Sequence, residues 1–111
     1  MGAWGEYQAC LFLERKGFTV IERNYHATVG EIDIVARKGD DFYFLEVKTR
    51  VSGELAYDTA VTYYKKRKLL KTISKYCSRR GIEGKGLVPA SLMVVVDRVN
   101  KKISFRLAVL Y

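Results

Sequence analysis

The chain has 111 residues, 49% of them hydrophobic and 29% charged, with nine Gly and one Pro; this is one domain's worth of length and excludes disorder and collagen-like repeats. Twenty Lys+Arg against 12 Asp+Glu give a formal net charge of +8, which in so small a chain points to a polyanionic partner, nucleic acid or an anionic membrane surface. The stretch from Lys65 to Arg80 holds eight basic residues and no acid, and the remainder holds twelve of each sign, so the net charge belongs to one segment.

From Ala3 to Lys16 the apolar residues Trp4, Tyr7, Cys10, Leu11 and Leu13 recur at helical spacing, and Gly17 ends the run, which predicts a first helix. Phe18–Glu22 reads as a short strand, followed by a loop to about Val29. Glu31–Arg37 and Phe42–Thr49 then read as two strands around Lys38-Gly39-Asp40-Asp41, a hairpin signal because Gly and Asp tolerate positive φ. Arg50–Thr62 has no clear period and is expected to be a loop, with room for one helical turn; loops this long in small domains are often functional. A second helix is expected from Tyr63 or Tyr64 to Arg79, with Leu69, Leu70, Ile73, Tyr76 and Cys77 on its apolar face and Lys68, Lys71, Lys75 and Arg79 on another. Gly81–Gly86 breaks it. Leu92–Val96 is continuously apolar, as a strand covered on both faces would be, and Ile103, Phe105, Leu107 and Val109 alternate with Ser104, Arg106 and Ala108 in a half-exposed last strand. The expected architecture is α/β, in the order α-β-β-β-α-β-β, a mixed β-sheet flanked by helices.

Two Cys and one His leave no disulfide framework and no Cys/His zinc site, so Cys10 and Cys77 read as buried thiols of a reducing cytoplasm. His26 falls in the polar stretch Asn24–Thr28 and reads as a loop histidine. The start of the chain lacks a targeting pattern, and the longest uninterrupted apolar runs are far short of the ~20 residues that span a bilayer, so the expectation is a soluble, cytoplasmic protein.

The informative segment is Gly30-Glu31-Ile32-Asp33-Ile34-Val35-Ala36-Arg37 with Leu45-Glu46-Val47-Lys48-Thr49-Arg50. Alternation puts Phe42, Phe44, Glu46 and Lys48 on one face of the second strand. A turn centred on Gly39-Asp40 pairs Arg37 with Phe42, Val35 with Phe44, Asp33 with Glu46 and Glu31 with Lys48. Two carboxylates opposed in this way repel each other, and a shared Mg²⁺ or Mn²⁺ reverses the sign. Lys48 would sit beside the ion, where an ammonium can hydrogen-bond the attacking water and stabilise charge growing on a phosphate. The alternative reading of the same residues is a salt-bridged quartet of Glu31, Asp33, Glu46 and Lys48.

Asp33 followed at this distance by Glu46-Val47-Lys48 resembles the Asp…(Asp/Glu)-x-Lys signature of restriction-endonuclease-like nucleases. More closely, the chain resembles the YraN-like family, related in fold to archaeal Holliday junction resolvases, through Gly2-x-x-Gly5-Glu6, Gly30–Arg37 and Leu45–Arg50, with Ala60-Val61-Thr62 followed by Lys65 as a weaker fourth motif. Leu92 and Tyr63 stand where the family usually carries an aspartate and a proline. The resemblance implies a restriction-endonuclease-like core over residues 1–111 as a single nuclease-like domain. It implies Asp33 and Glu46 as metal ligands with the Val47 carbonyl as a third, Lys48 as the catalytic lysine and Glu6 as an acid reaching the site from the first helix. Glu31 is a supporting residue that either contacts metal or pairs with Lys48.

Lys65 would approach the substrate phosphate, and Lys68, Lys71, Lys75, Arg79 and Arg50 would bind nucleic acid. The basic run has no acidic partners to offset its self-repulsion, and a polyanion would supply them. Tyr57, Tyr63 and Tyr64 are placed either to stack on unpaired bases or to pack in the core. Together these readings imply a Mg²⁺- or Mn²⁺-dependent endonuclease acting on DNA, selecting branched or flapped structures rather than sequence; the alternative is a non-catalytic nucleic-acid-binding accessory protein with a vestigial site. No membrane partner is expected, and the apolar last strand makes a homodimer the expected assembly.

Overall fold

A computed structural model of the chain describes residues 2–53, 63–82 and 86–110. The elements are α1 (Gly2–Arg15), β1 (Thr19–Ala27), β2 (Gly30–Lys38), β3 (Asp41–Val51), α2 (Tyr63–Arg80), β4 (Gly86–Asp97) and β5 (Lys102–Val109). The order is the expected α-β-β-β-α-β-β. One five-stranded sheet runs β1-β2-β3-β4-β5, antiparallel throughout except for the parallel β3–β4 pair. Parallel neighbours need a crossover, and α2 lies in it. This mixed sheet with helices on its two faces is the α/β arrangement expected from the sequence. Most of Arg50–Thr62, including Tyr57 and Ala60-Val61-Thr62, lies outside the described residues, as do Glu83, Gly84 and Lys85.

The hairpin register is the one the turn dictates. Gly39, at φ 61°, supplies the left-handed residue, and the pairs run Lys38 with Asp41, Arg37 with Phe42, Val35 with Phe44 and Ile34 with Leu45. Strict alternation then sends Ile34, Ala36 and Leu45 to one core, with Ala9, Cys10 and Leu13 of α1 and Leu92 and Val94 of β4. Val35 and Phe44 go to the other, with Tyr25 of β1 and Leu69, Ile73, Tyr76 and Cys77 of α2. Each large apolar side chain fully buried in these layers contributes about 1.5–3 kcal/mol, which is what holds both helices to the sheet. Leu92 through Val95 are buried, as the apolar run predicts, and both cysteines are buried free thiols whose pKa values burial pushes up.

Several local expectations are corrected. β1 does not stop at Glu22 but continues through Asn24, which takes a left-handed φ of 55°, to Ala27; His26 is a strand residue opposite Glu31 rather than a loop histidine. β4 starts at Gly86, well before Leu92; Pro89 is tolerated inside it because it lies one position beyond the last β5 ladder pair, Ala90–Val109, where no donor is required of it, and its carbonyl still accepts from the Leu110 amide. In α1 the buried stripe is Gly5, Ala9, Cys10 and Leu13, leaving Trp4 and Tyr7 exposed, because small residues bring the helix close to β3. In α2 Leu70 is exposed and Thr72 takes the core position, its hydroxyl satisfied by donating to the Lys68 carbonyl at 2.7 Å. β5 is an edge strand: Phe105 stacks on Phe12 with centroids 4.4 Å apart, while Ile103, Leu107 and Val109 stay exposed. Among the described residues no helix is long and apolar enough to cross a membrane.

Candidate active site

Two glycines set how closely each helix approaches the acids. A Cβ on Gly5 would overlap the Thr49 hydroxyl of β3, so glycine lets the first turn of α1 lie against that strand. The next residue, Glu6, is then only 17% exposed in its side chain. Its Oε1 is buried and, among the described residues, accepts no hydrogen bond; Arg23 Nη2 at 3.8 Å is within ion-pair range but too far to donate. Across the sheet, a Cβ on Gly30 would come within 2.7 Å of Thr72 Oγ1, so glycine there admits α2.

Asp33 lies where the sheet changes its regular pattern. On β1 and β2, the Arg23–Ile34 pair faces α1 and the Tyr25–Ile32 pair faces α2, so the pleat reverses across Asn24 and Asp33. The β2–β3 ladder also ends at Ile34–Leu45, one position short of the expected Asp33–Glu46 pairing. In place of the next ladder bond the Val47 amide donates to Asp33 Oδ2 at 2.7 Å. Glu31 and Lys48, two positions further on, are likewise unpaired in the ladder. Burial is the largest cause pushing the Asp33 carboxyl up to about 6; the Val47 amide opposes the rise, and the carboxylates of Glu6, Glu31 and Glu46 add to it.

Asp33 and Glu46 nonetheless meet in one cleft of about 190 Å³, bounded by Gly30, Glu31, Asp33 and Glu46 from the strands and Lys65, Lys68, Leu69 and Thr72 from α2. Lys48 Nζ stands 4.0 Å from Glu46 Oε1 with a side chain only 12% exposed. Glu31 lines the cleft with its Oε2 3.1 Å from His26 Nδ1 rather than beside Lys48, so the salt-bridged quartet does not form. Arg50 uses Nη1 to donate to the Thr49 carbonyl at 2.9 Å. Lys65 and Lys68 reach the cleft; Lys71, Lys75 and Arg79 are exposed on α2 outside it. Thr72 was missed by sequence reasoning, and its signal was a hydroxyl three residues beyond Leu69 on the helix face that packs inward.

Among the described residues no group of three or more His, Cys, Asp or Glu is close enough to enclose a metal. Mg²⁺ asks for less than enclosure: it keeps several waters and binds through one or two carboxylates plus substrate phosphates. The donor set fits that demand. Asp33 and Glu46 share a cleft, Glu6 carries a buried oxygen without a hydrogen bond, and the acids raise the Asp33 pKa, a repulsion that a cation removes.

The chain is similar in sequence to a UPF0102 protein of Campylobacter hominis, 42% identical over 106 residues that cover 94% of this chain and 88% of that one. A UPF0102 protein of Campylobacter jejuni is 40% identical over 81 residues, covering 73% and 71%. Among solved structures, the Holliday junction resolvase Hjc of Archaeoglobus fulgidus matches with a TM-score of 0.48 and 19% identity over 90% of this chain and 70% of that one. The model of the uncharacterised protein family UPF0102 matches residues 5–103, which takes in Gly5-Glu6 and both strand motifs of the cleft. With that span and those relatives, the chain belongs to family UPF0102, the YraN family that its motifs resemble.

Proposed function

We propose that this chain is a single-domain, Mg²⁺- or Mn²⁺-dependent endonuclease that hydrolyses DNA phosphodiester bonds and selects branched or flapped structures rather than sequence. The observation that carries the reading is the cleft in which Asp33 and Glu46 on the strands face Lys65 and Lys68 on α2. Acids alone would repel a phosphate and lysines alone would only hold it; opposed across one cleft, they suit a phosphate bridged to a cation.

In this reading Asp33 and Glu46 hold the cation, assisted by the Val47 carbonyl and by Glu6 from α1. The bound ion would supply Lewis acidity toward a phosphoryl oxygen. Asp33 is kept in one orientation by the Val47 amide. Lys48, little exposed and beside Glu46, donates to the phosphate or the attacking water and offsets charge that grows as the bond breaks. Lys65 and Lys68 seat the phosphate, and Lys71, Lys75, Arg79 and Arg50 extend the contact along the backbone. Contacts of this kind read shape rather than base sequence. The buried free thiols suit a reducing cytoplasm, where such a substrate is found. A homodimer through the exposed apolar edge of β5 is the assembly we propose, tested by sedimentation.

The deciding experiment incubates branched, flapped, single-stranded and duplex DNA with Mg²⁺ or Mn²⁺, beside Glu46→Ala and Lys48→Ala. Wild type is expected to cut the branched or flapped forms, and each variant to be slower by about a hundredfold or more. Binding without cutting would leave the accessory protein with a vestigial site as the answer. Equal cutting by all three proteins would trace the activity to a contaminant.

A further inference from the structure

We propose that Tyr63 and Tyr64, at the start of α2, form a stacking platform for unpaired bases, so that the preferred substrate carries single-stranded nucleotides beside the phosphate held in the cleft. This deepens the nucleic-acid reading above and rests on it. Tyrosines inside this protein are well used: Tyr25 and Tyr76 are buried, with their rings edge to face at 5.0 Å. Tyr63 and Tyr64 are the opposite case, 69% and 78% exposed, and they meet only edge to face, with centroids 6.0 Å apart. Leaving two such rings in water forgoes the burial that holds the rest of α2 in place.

Their surroundings match one ligand. The Arg67 guanidinium lies 5.7 Å from the Tyr63 ring centroid, presenting a second flat cationic surface next to the aromatic pair. Tyr64 and Lys68 are four residues apart, hence on the same side of the helix and separated by about one turn, roughly 5.4 Å. Lys65 follows Tyr64 directly, and both lysines line the cleft with Asp33 and Glu46. A strand whose phosphate sits at Lys65 and Lys68 therefore brings its adjoining base within reach of Tyr64. Duplex bases are already stacked on each other and present no open π-face at that depth, whereas an unpaired base does. Every base has such a face, so the platform is indifferent to sequence.

The test measures binding in EDTA, so that it does not depend on cutting, for a single-stranded DNA, the same sequence as RNA, a flapped duplex, a blunt duplex, and a single strand with abasic sites at successive positions. Proteins are wild type, Tyr64→Ala, Tyr63→Ala and Tyr64→Trp, each checked for native circular dichroism. Tyr64→Ala is expected to lose about tenfold in affinity for single-stranded and flapped DNA and less than twofold for blunt duplex, with Tyr64→Trp restoring the loss. One abasic position should reproduce the loss in wild type and add nothing to Tyr64→Ala. The RNA arm tells which sugar is preferred once this tyrosine dependence holds. Equal losses on single-stranded and duplex DNA, or none on either, overturn the platform while leaving the nuclease reading intact. Tyrosine-dependent binding to vesicles containing phosphatidylserine, with none to nucleic acid, overturns it in favour of a membrane surface. No binding of any nucleic acid by wild type, either in EDTA or with Ca²⁺ supplied as the cation, overturns the nucleic-acid reading and the platform together.

Discussion

Under α1 the sheet presents Ile34, Ala36, Leu45, Leu92 and Val94 to Ala9, Cys10 and Leu13, and all of these side chains are buried. Under α2 the packing is equally dry where Val35 and Phe44 meet Ile73 and Tyr76, but toward the start of the helix the contact passes to Leu69 and Thr72 and opens into a cleft with lysines on one wall and carboxylates on the other. The same sheet thus separates two tasks. One face is closed by small residues at the helix contact and carries stability; the other is sealed along most of its helix and left open at one end. Glu6 reaches toward the cleft acids from the closed side, through the close approach that Gly5 permits.

The strongest way to break this contrast is a cavity in the closed face. Leu45→Ala should cost about 2–5 kcal/mol in urea unfolding, and any protein that stays folded should keep its relative preference among nucleic acids. In the open face the comparable change is chemical. Mn²⁺ at a hundred times its Kd should stabilise wild type by about 2.7 kcal/mol in thermal melts, and Asp33→Asn should abolish that gain without unfolding the protein. Gly5→Val, beside the residue that reaches from the closed face toward the site, should destabilise by about 1–3 kcal/mol through overlap with Thr49 and also weaken the Mn²⁺ response by displacing Glu6. Replacing Lys71, Lys75 and Arg79 by Ser should change stability by no more than about 0.5 kcal/mol at each position. It should also flatten the salt dependence of duplex DNA binding by about 0.9 in logarithmic slope for each phosphate that is no longer neutralised.

The smallest effect is a pH dependence far from the cleft. Glu22 accepts from Arg80 Nη2 at 2.9 Å and from the Tyr76 hydroxyl at 3.1 Å, and the Arg80 hydrogen bond is the main cause holding its carboxyl below the ordinary range. A lowered folded-state pKa means that the contribution is present above the ordinary glutamate value of about 4.3 and is lost as pH falls through the lower folded one. The stability difference between wild type and Glu22→Gln should therefore shrink between about pH 5 and pH 3 and be flat from pH 6 to 8.

The order of elements, the hairpin register and the sorting of Val35 and Phe44 from Ile34 and Leu45 were legible because a two-residue period and one Gly-Asp turn determine them. The meeting of Asp33 with Glu46 was legible as a neighbourhood but not as a ladder pair. Alternation assumes an unbroken pleat, and here the left-handed Asn24 accompanies a reversal that no period announces. The extension of β1 to Ala27 was hidden for the same reason, since Asn24 and His26 look like loop residues until their pairing with β2 is seen. Glu31 was left between a metal and Lys48 because only β2 and β3 were considered; its neighbour His26 comes from β1. Thr72 rather than Leu70 is buried because helical periodicity fixes spacing, while the closeness of Gly30 decides which side chain fits beneath α2.

The parallel pairing of β3 with β4 has a consequence for how the molecule assembles. β1, β2 and β3 are joined by short turns and can zip locally, on the microsecond scale of hairpins. Glu46 aligns with Ser91 only after α2 and the rest of the crossover have been placed, a closure of high contact order. Asp33 and Glu46 are thus gathered early on the meander, and the lysines that face them arrive with the late crossover. Substitutions such as Val35→Ala should slow folding, whereas Leu92→Ala should mainly speed unfolding. On this order the basic wall of the cleft forms after its acidic one, so a chain halted at the meander stage would carry its acids with no basic wall opposite them.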